Sequence, residues 1–257
     1  NGKISFKDTG AGDPNFNWGS YTVRNEGALV VENGTIEHLG EQDFATHAIF
    51  AIFQYSGSST INGGTISTPA YRSARLWKGN MTINGGTFDG QLWVQSVDDT
   101  AGLTINGGKF SPNGNDASSV FVGNVTNAGV HHTAEFTVTG GTFETKIGCS
   151  NAEKLTGGLI SGGNFTATAV GNTSEALLAP GFVFSGEANA EGYYTVEDDP
   201  KTEYISTIEG LKAFRDAVNA GNTYQGVTVY LTEDIDLAPS PKKQKTAKRQ
   251  PLFCRVR

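Results

Sequence analysis

The tetrapeptide Ile-Asn-Gly-Gly begins at Ile61, Ile83 and Ile105, three evenly spaced positions. A phrase recurring at a fixed interval restricts a chain to folds built from stacked, near-identical units. Aligned on it, the sequence resolves into columns. Val31, Ile61, Ile83, Ile105, Val138 and Ile160 form one, with longer steps from Val31 to Ile61 and from Ile105 to Val138. Ile36, Ile66, Phe88, Phe110, Phe143 and Phe165 form a second. A base period of about 22 residues, with two units enlarged by roughly a third and a half, accounts for every interval in the first column.

Within a phrase the apolar residue is flanked by polar ones, as in Thr82-Ile83-Asn84. That alternation marks a strand with one buried face. The glycine pair then supplies positive backbone φ, where a Cβ would clash. Thr87-Phe88 starts a second strand, its aromatic ring again inward. A third short strand is expected in each unit, over residues 48–53, 75–77, 92–94 and 119–122. Three short strands in each such unit is the arithmetic of an all-β, right-handed parallel β-helix, with about six coils from Val31 to Phe165. A β-sandwich is the rival, but it does not require like residues at a fixed interval.

The Ile-Asn-Gly-Gly-Thr-Phe phrases resemble extracellular repeat proteins of gut bacteria, chiefly Firmicutes and Bifidobacteria, with the pectin-lyase-like β-helix fold. Residues 160–199 look like the closing element of the same proteins, where a last glycine-pair phrase leads into a hairpin. The resemblance covers about residues 27–199. It implies an architecture and says little about activity, because fold does not imply function.

After Pro200 the period changes. Ile208, Leu211, Phe214, Ala217 and Val218 are spaced as on a helix, with Ser206 and Glu209 as a capping box and Gly221 as the stop. Residues 227–237 then read as a strand. This helix-strand unit resembles the N-terminal cap of a further β-helix in the same family. The chain therefore divides into a β-helix with closing hairpin over 1–199, a helix-strand cap over 200–239, and a tail over 240–257. The tail contains seven of the 19 Lys and Arg residues and no acid. It reads as a disordered or artefactual end, since so polar a segment cannot offset its ordering entropy.

Residues 1–239 carry 12 basic against 26 acidic side chains, a net charge of −14. Phosphate binding needs clustered Lys and Arg, so nucleic acid is not an expected partner. The longest apolar run, residues 48–53, is too short to cross a bilayer. Cys149 and Cys254 stand far apart, so neither a disulfide framework nor a zinc site is expected.

Resemblance to pectin-lyase-like enzymes directs attention to carboxylates, because those enzymes act on acidic polysaccharides or hydrolyse glycosidic bonds with paired acids. Candidates are Asp89, Asp98, Asp99 and Glu144, with Arg72, Arg75 and Lys78 as nearby bases. None matches a family catalytic motif, and Asp98-Asp99 reads better as a turn. Asn62, Asn84 and Asn106 recur in register, and read as a ladder of amides bonded from coil to coil. The threonine column of Thr60, Thr82, Thr104 and Thr137 follows from strand propensity; a second, Thr65, Thr87 and Thr142, is too interrupted by Lys109 and Asn164 to suit ice binding. His47, His131 and His132 lack the spacing of metal ligands.

The aromatic residues are the candidates for binding. Tyr71 and Trp93 are one period apart, which predicts stacking on one face, with Arg72, Arg75, Trp77 and Gln91 near. Exposed rings beside Arg and Gln make a platform on which pyranose rings can stack. The resulting expectation is a non-enzymatic, secreted or cell-surface module, adhesin-like or a stalk, with glycans or a host surface as partner. No cofactor or metal is expected, and the chain would act as a monomeric fragment of a larger protein. A polysaccharide lyase or glycoside hydrolase of the same fold is the alternative, and a phage tail-spike or fibre module a further one.

Overall fold

The computed structural model describes residues 2–6, 20–40, 49–69, 72–112, 118–124 and 129–236; Tyr71, His47 and the basic tail lie outside the described residues. By internal contacts the chain divides into two compact units, Asn1–Glu197 and Asp198–Arg257.

The first unit is mostly strand. In chain order it runs β1 (Lys3–Phe6), β2 (Ser20–Asn25), β3 (Ala28–Val31), β4 (Thr35–His38), β5 (Ile49–Gln54) and β6 (Ser58–Ile61). Next come β7 (Thr65–Ser67), β8 (Arg72–Leu76), β9 (Asn80–Ile83), β10 (Thr87–Asp89), β11 (Leu92–Gln95) and β12 (Gly102–Ile105). Then follow β13 (Lys109–Ser111), β14 (Ser118–Gly123), β15 (Ala134–Val138), β16 (Thr142–Phe143), β17 (Lys146–Cys149) and β18 (Leu155–Ile160). A last group comprises β19 (Asn164–Phe165), helix α1 (Ala167–Asn172), β20 (Phe182–Phe184) and β21 (Tyr194–Asp198).

Each strand from β1 to β18 belongs to one of three sheets, and the chain visits the sheets in rotation. The first sheet runs β1-β4-β7-β10-β13-β16-β19, the second β2-β5-β8-β11-β14-β17 and the third β3-β6-β9-β12-β15-β18. All neighbours in these three series pair in parallel. Parallel neighbours need a long connection, usually a crossover helix. Here the other two strands of each unit supply that connection, so no such helix is needed.

The two apolar columns lie in the core. Ile61, Ile83, Ile105, Val138 and Ile160 are fully buried in the third sheet, as are Ile66, Phe88, Phe110, Phe143 and Phe165 in the first. The rings of Phe88, Phe110, Phe143 and Phe165 stack face to face, with centroids 5.0, 5.0 and 4.8 Å apart. Like residues stack because parallel pairing in register sets each ring on its counterpart, one strand spacing away. The glycine pair makes the corner between the third and first sheets. At Gly85 a Cβ would lie 2.6 Å from the Asn62 carbonyl oxygen of the preceding unit, and Gly86 has φ +94°.

The asparagines form the expected ladder. Asn84 Nδ2 donates to Asn62 Oδ1 at 2.8 Å, and Asn106 Nδ2 to Asn84 Oδ1 at 2.9 Å. Its ends are closed by acceptor and donor: Asn62 Nδ2 donates to the Glu32 carboxylate at 3.0 Å, and Thr139 Oγ1 donates to Asn106 Oδ1 at 2.9 Å. A carboxylate can only accept, so it obliges Asn62 to present its NH2, and every later amide follows the same sense.

Past Phe165 the parallel pattern in the first unit is reduced to an isolated bridge between Ile160 and Leu178. β19 pairs antiparallel with β21, β20 lies beside β21, and Phe184 meets Phe165 edge-on at 5.1 Å. Helix α1, absent from the sequence reading, lies against β17 and β19, and Thr173 Oγ1 just beyond it accepts from Ile147 N at 3.0 Å.

The second unit comprises β22 (Thr202–Ile205), helix α2 (Ile208–Asn219) and β23 (Thr228–Leu231), the two strands paired in parallel. The capping residue of α2 is Thr207, one position later than the sequence suggested, its hydroxyl accepting from Gly210 N at 3.0 Å. Gly221 ends the helix with φ +102°. Among the described residues β23 covers only Thr228–Leu231 of the expected 227–237 strand.

Replacing Phe110 by Ala should destabilise the first unit by about 3–5 kcal/mol, the range for a fully buried ring. Asn84→Ala removes one donated and one accepted bond and should cost about 1–3 kcal/mol. Denaturant unfolding of each variant against the parent measures both.

Candidate functional site

The outer face of the second sheet gathers aromatic and arginine side chains. Alternation along β11 sends Leu92 and Val94 into the core and Trp93 and Gln95 outward. Register then places Arg24, Phe53, Arg75, Trp93 and Phe121 in one column. Beside it, the Tyr55 and Trp77 rings meet edge to face at 5.7 Å.

Arginines lie between the rings. The Arg72 guanidinium sits 3.7 Å from the Trp93 ring centroid, while its Nε donates to Gln91 Oε1 at 3.2 Å. Arg75 Cζ lies 4.5 Å from Trp77, 4.8 Å from Trp93 and 5.0 Å from Phe53. A planar, weakly hydrated guanidinium is the cation best suited to such a stack. Arg75 is 3 % exposed and donates through Nη2 to Gln95 Oε1. Burial, with the Arg72 charge adding to it, pushes its pKa down to about 9, so it remains a cation at neutral pH. Gly123 is needed beside the stack, for a Cβ there would lie 2.9 Å from Trp93 Nε1.

Of the residues singled out from sequence, Arg72, Arg75, Trp77, Gln91 and Trp93 share this face. Tyr71, the stacking partner expected for Trp93 one period earlier, lies outside the described residues. Trp93 pairs with Arg75, less than one period back along the chain, whereas the flanking sheets keep the full period. The connection into β8 is longer than that into β11, and the turn after β11 is longer than that after β8, so the sum is conserved while the middle strand slides. As a result the Trp93 ring faces guanidinium groups. Phe53, Tyr55, Arg24, Gln95 and Phe121 were missed. For Phe53 and Tyr55 a signal existed, because they stand one full period before Arg75 and Trp77.

The candidate acids Asp98, Asp99 and Glu144 are engaged in structural bonds. Asp98 accepts from Lys78 Nζ at 2.7 Å. Burial pulls the Asp98 pKa upward, but the bonds from Lys78 and Thr100 outweigh it and leave it below the ordinary value. Asp99 has φ +65° and accepts from Thr133 Oγ1 at 3.0 Å, with His132 Nδ1 at 3.4 Å. The Thr133 backbone N–H, then its hydroxyl and His132, hold the Asp99 pKa low. A depressed pKa suits a structural carboxylate and not a proton donor. Glu144 pairs with Lys109 at 2.8 Å. Among the described residues no three His, Cys, Asp or Glu side chains are grouped to hold a metal ion. No described helix is long and apolar enough to cross a membrane.

No protein-family model, curated protein or solved structure matches this chain.

The depressed Asp99 pKa has a testable consequence. Its contribution to stability is present above the ordinary value of 3.8 and is lost as pH falls through the lower folded value. Asp99→Asn tolerates the left-handed backbone and removes only the charge. Melting temperature against pH should therefore fall less steeply below about pH 4 in the variant than in the parent.

Proposed function

We propose that the first unit is a right-handed parallel β-helix of about 22 residues per coil, secreted or displayed on a bacterial cell surface. It acts without catalysis, as an adhesin-like or stalk module that presents a glycan-binding face. The observation that carries the reading is the rotation of the chain through three parallel sheets, with strand order advancing by three in each. That order is what a chain coiling about one axis produces.

The resemblance to extracellular repeat proteins of gut bacteria supports the location, and the acidic body suits a solvated surface. The outer face of the second sheet supports the binding role. Trp, Tyr and Arg are the side chains enriched among those that dominate recognition energetics. Three of the four candidate acids for the enzymatic alternative, Asp98, Asp99 and Glu144, are occupied in structural bonds.

A glycan array combined with a reducing-end release assay tests the reading. Binding without release is the expected result, and release of reducing ends would favour a lyase or hydrolase. Trp93→Ala should weaken binding about tenfold or more. A lowered melting temperature with unchanged binding would instead make the strip a structural stack.

A further inference from the structure

The guanidinium edge of Arg75 is half filled. Nη2 donates to the Gln95 amide oxygen, while Nε, on the same edge of the fork, is fully buried and has no hydrogen-bond acceptor among the described residues. That edge is shaped for two oxygens held side by side, as in a carboxylate or sulfate. A neutral amide offers it one. The other close partners of Arg75 among the described residues are aromatic rings, which stack on the cation but accept no directional bond at its edge. Leaving a buried cation with an unfilled donor is costly, so an occupant that filled both positions would be favoured.

We infer that Gln95 holds the place of an anionic group, and that the strip binds saccharides carrying carboxylate or sulfate. This rests on the reading above that the face takes glycans, and it narrows the class. Ring geometry points the same way. With Arg72 3.7 Å over Trp93, that face of the indole is already covered, so a neutral pyranose cannot stack there. Arg72 instead adds a second positive charge beside the first. Gln95 is partly exposed, and its neighbour in the next strand, Gly123, brings no side chain of its own, the space above it being taken by the edge of the Trp93 indole.

Gln95 substitutions test this without emptying the core. Gln95→Glu supplies a permanent carboxylate to Arg75, so the protein fills its own site. The melting temperature should stay level or rise, while affinity for hyaluronate and dextran sulfate falls about ten- to a hundredfold, the range for a lost charged hydrogen-bonded contact. Gln95→Ala should bind both more tightly than the parent. Hyaluronate offers only carboxylate and dextran sulfate only sulfate, so titration calorimetry with each separates the two sources. Neutral dextran should not compete.

If Gln95→Glu binds the charged polymers as the parent does, the inference is overturned. Parent binding of neutral dextran, unchanged in Gln95→Glu, overturns it too and leaves the glycan-binding reading standing. If no saccharide binds, but sodium sulfate raises the melting temperature of the parent by more than that of Gln95→Glu, beyond the general stabilisation sulfate gives to both, the anion edge stands and the glycan reading falls. Absence of both effects overturns both.

Discussion

Everything in the first unit depends on parallel pairing in register between one repeat and the next. A repeat alone has no partner for its backbone groups and no cover for its apolar face. Stacking satisfies both at once: Asn84 N donates to Ile61 O at 2.8 Å and Thr87 N to Gly64 O at 2.8 Å, while Phe88 sits on Ile66. The Gly-Gly corner is what allows successive repeats to approach so closely, because the space that a Cβ would occupy is taken by the carbonyl of the neighbouring repeat. A single larger residue there would disturb the register of two sheets, not one turn.

The same pairing divides the surfaces into two kinds. On the third sheet it places like on like, and the result is a self-satisfied ladder of amides whose sense is set by Glu32 at one end. Such a face spends its hydrogen-bonding groups on itself. On the second sheet unlike residues are stacked, with guanidinium groups lying between rings, and the charge of Arg75 is screened by π faces, with no carboxylate paired to it among the described residues. Cation–π contacts are worth more when desolvated, but they do not fill a directional donor. That imbalance is what separates this face from the scaffold around it.

Much of the architecture was legible. Ile61, Ile83 and Ile105, and Phe88, Phe110 and Phe143, announced buried columns through spacing and alternation alone, and the asparagines announced their ladder. Helix α1 was not legible, since Ala167–Asn172 has too few apolar residues to show a period and is held by packing on β17 and β19. For the site, residue types pointed to Arg72, Arg75, Trp77, Gln91 and Trp93. Their arrangement was not visible, because counting one period back from Trp93 leads to Tyr71, whereas hydrogen-bonded register leads to Arg75.

By itself the sequence determined the period, the corner glycines and which residues turn inward. Those depend on backbone sterics and on alternation, both of which act within a few neighbouring residues. Only the tertiary structure decided how the second sheet is registered, and with it which rings meet which cations. Strand register answers to pairing partners in the repeats before and after, and along this sheet the step from Phe53 to Arg75, to Trp93 and to Phe121 differs each time. Loop lengths on either side of a strand can trade against each other without changing the period, so the repeat conceals the slide that assembles Arg75, Trp93 and Gln95.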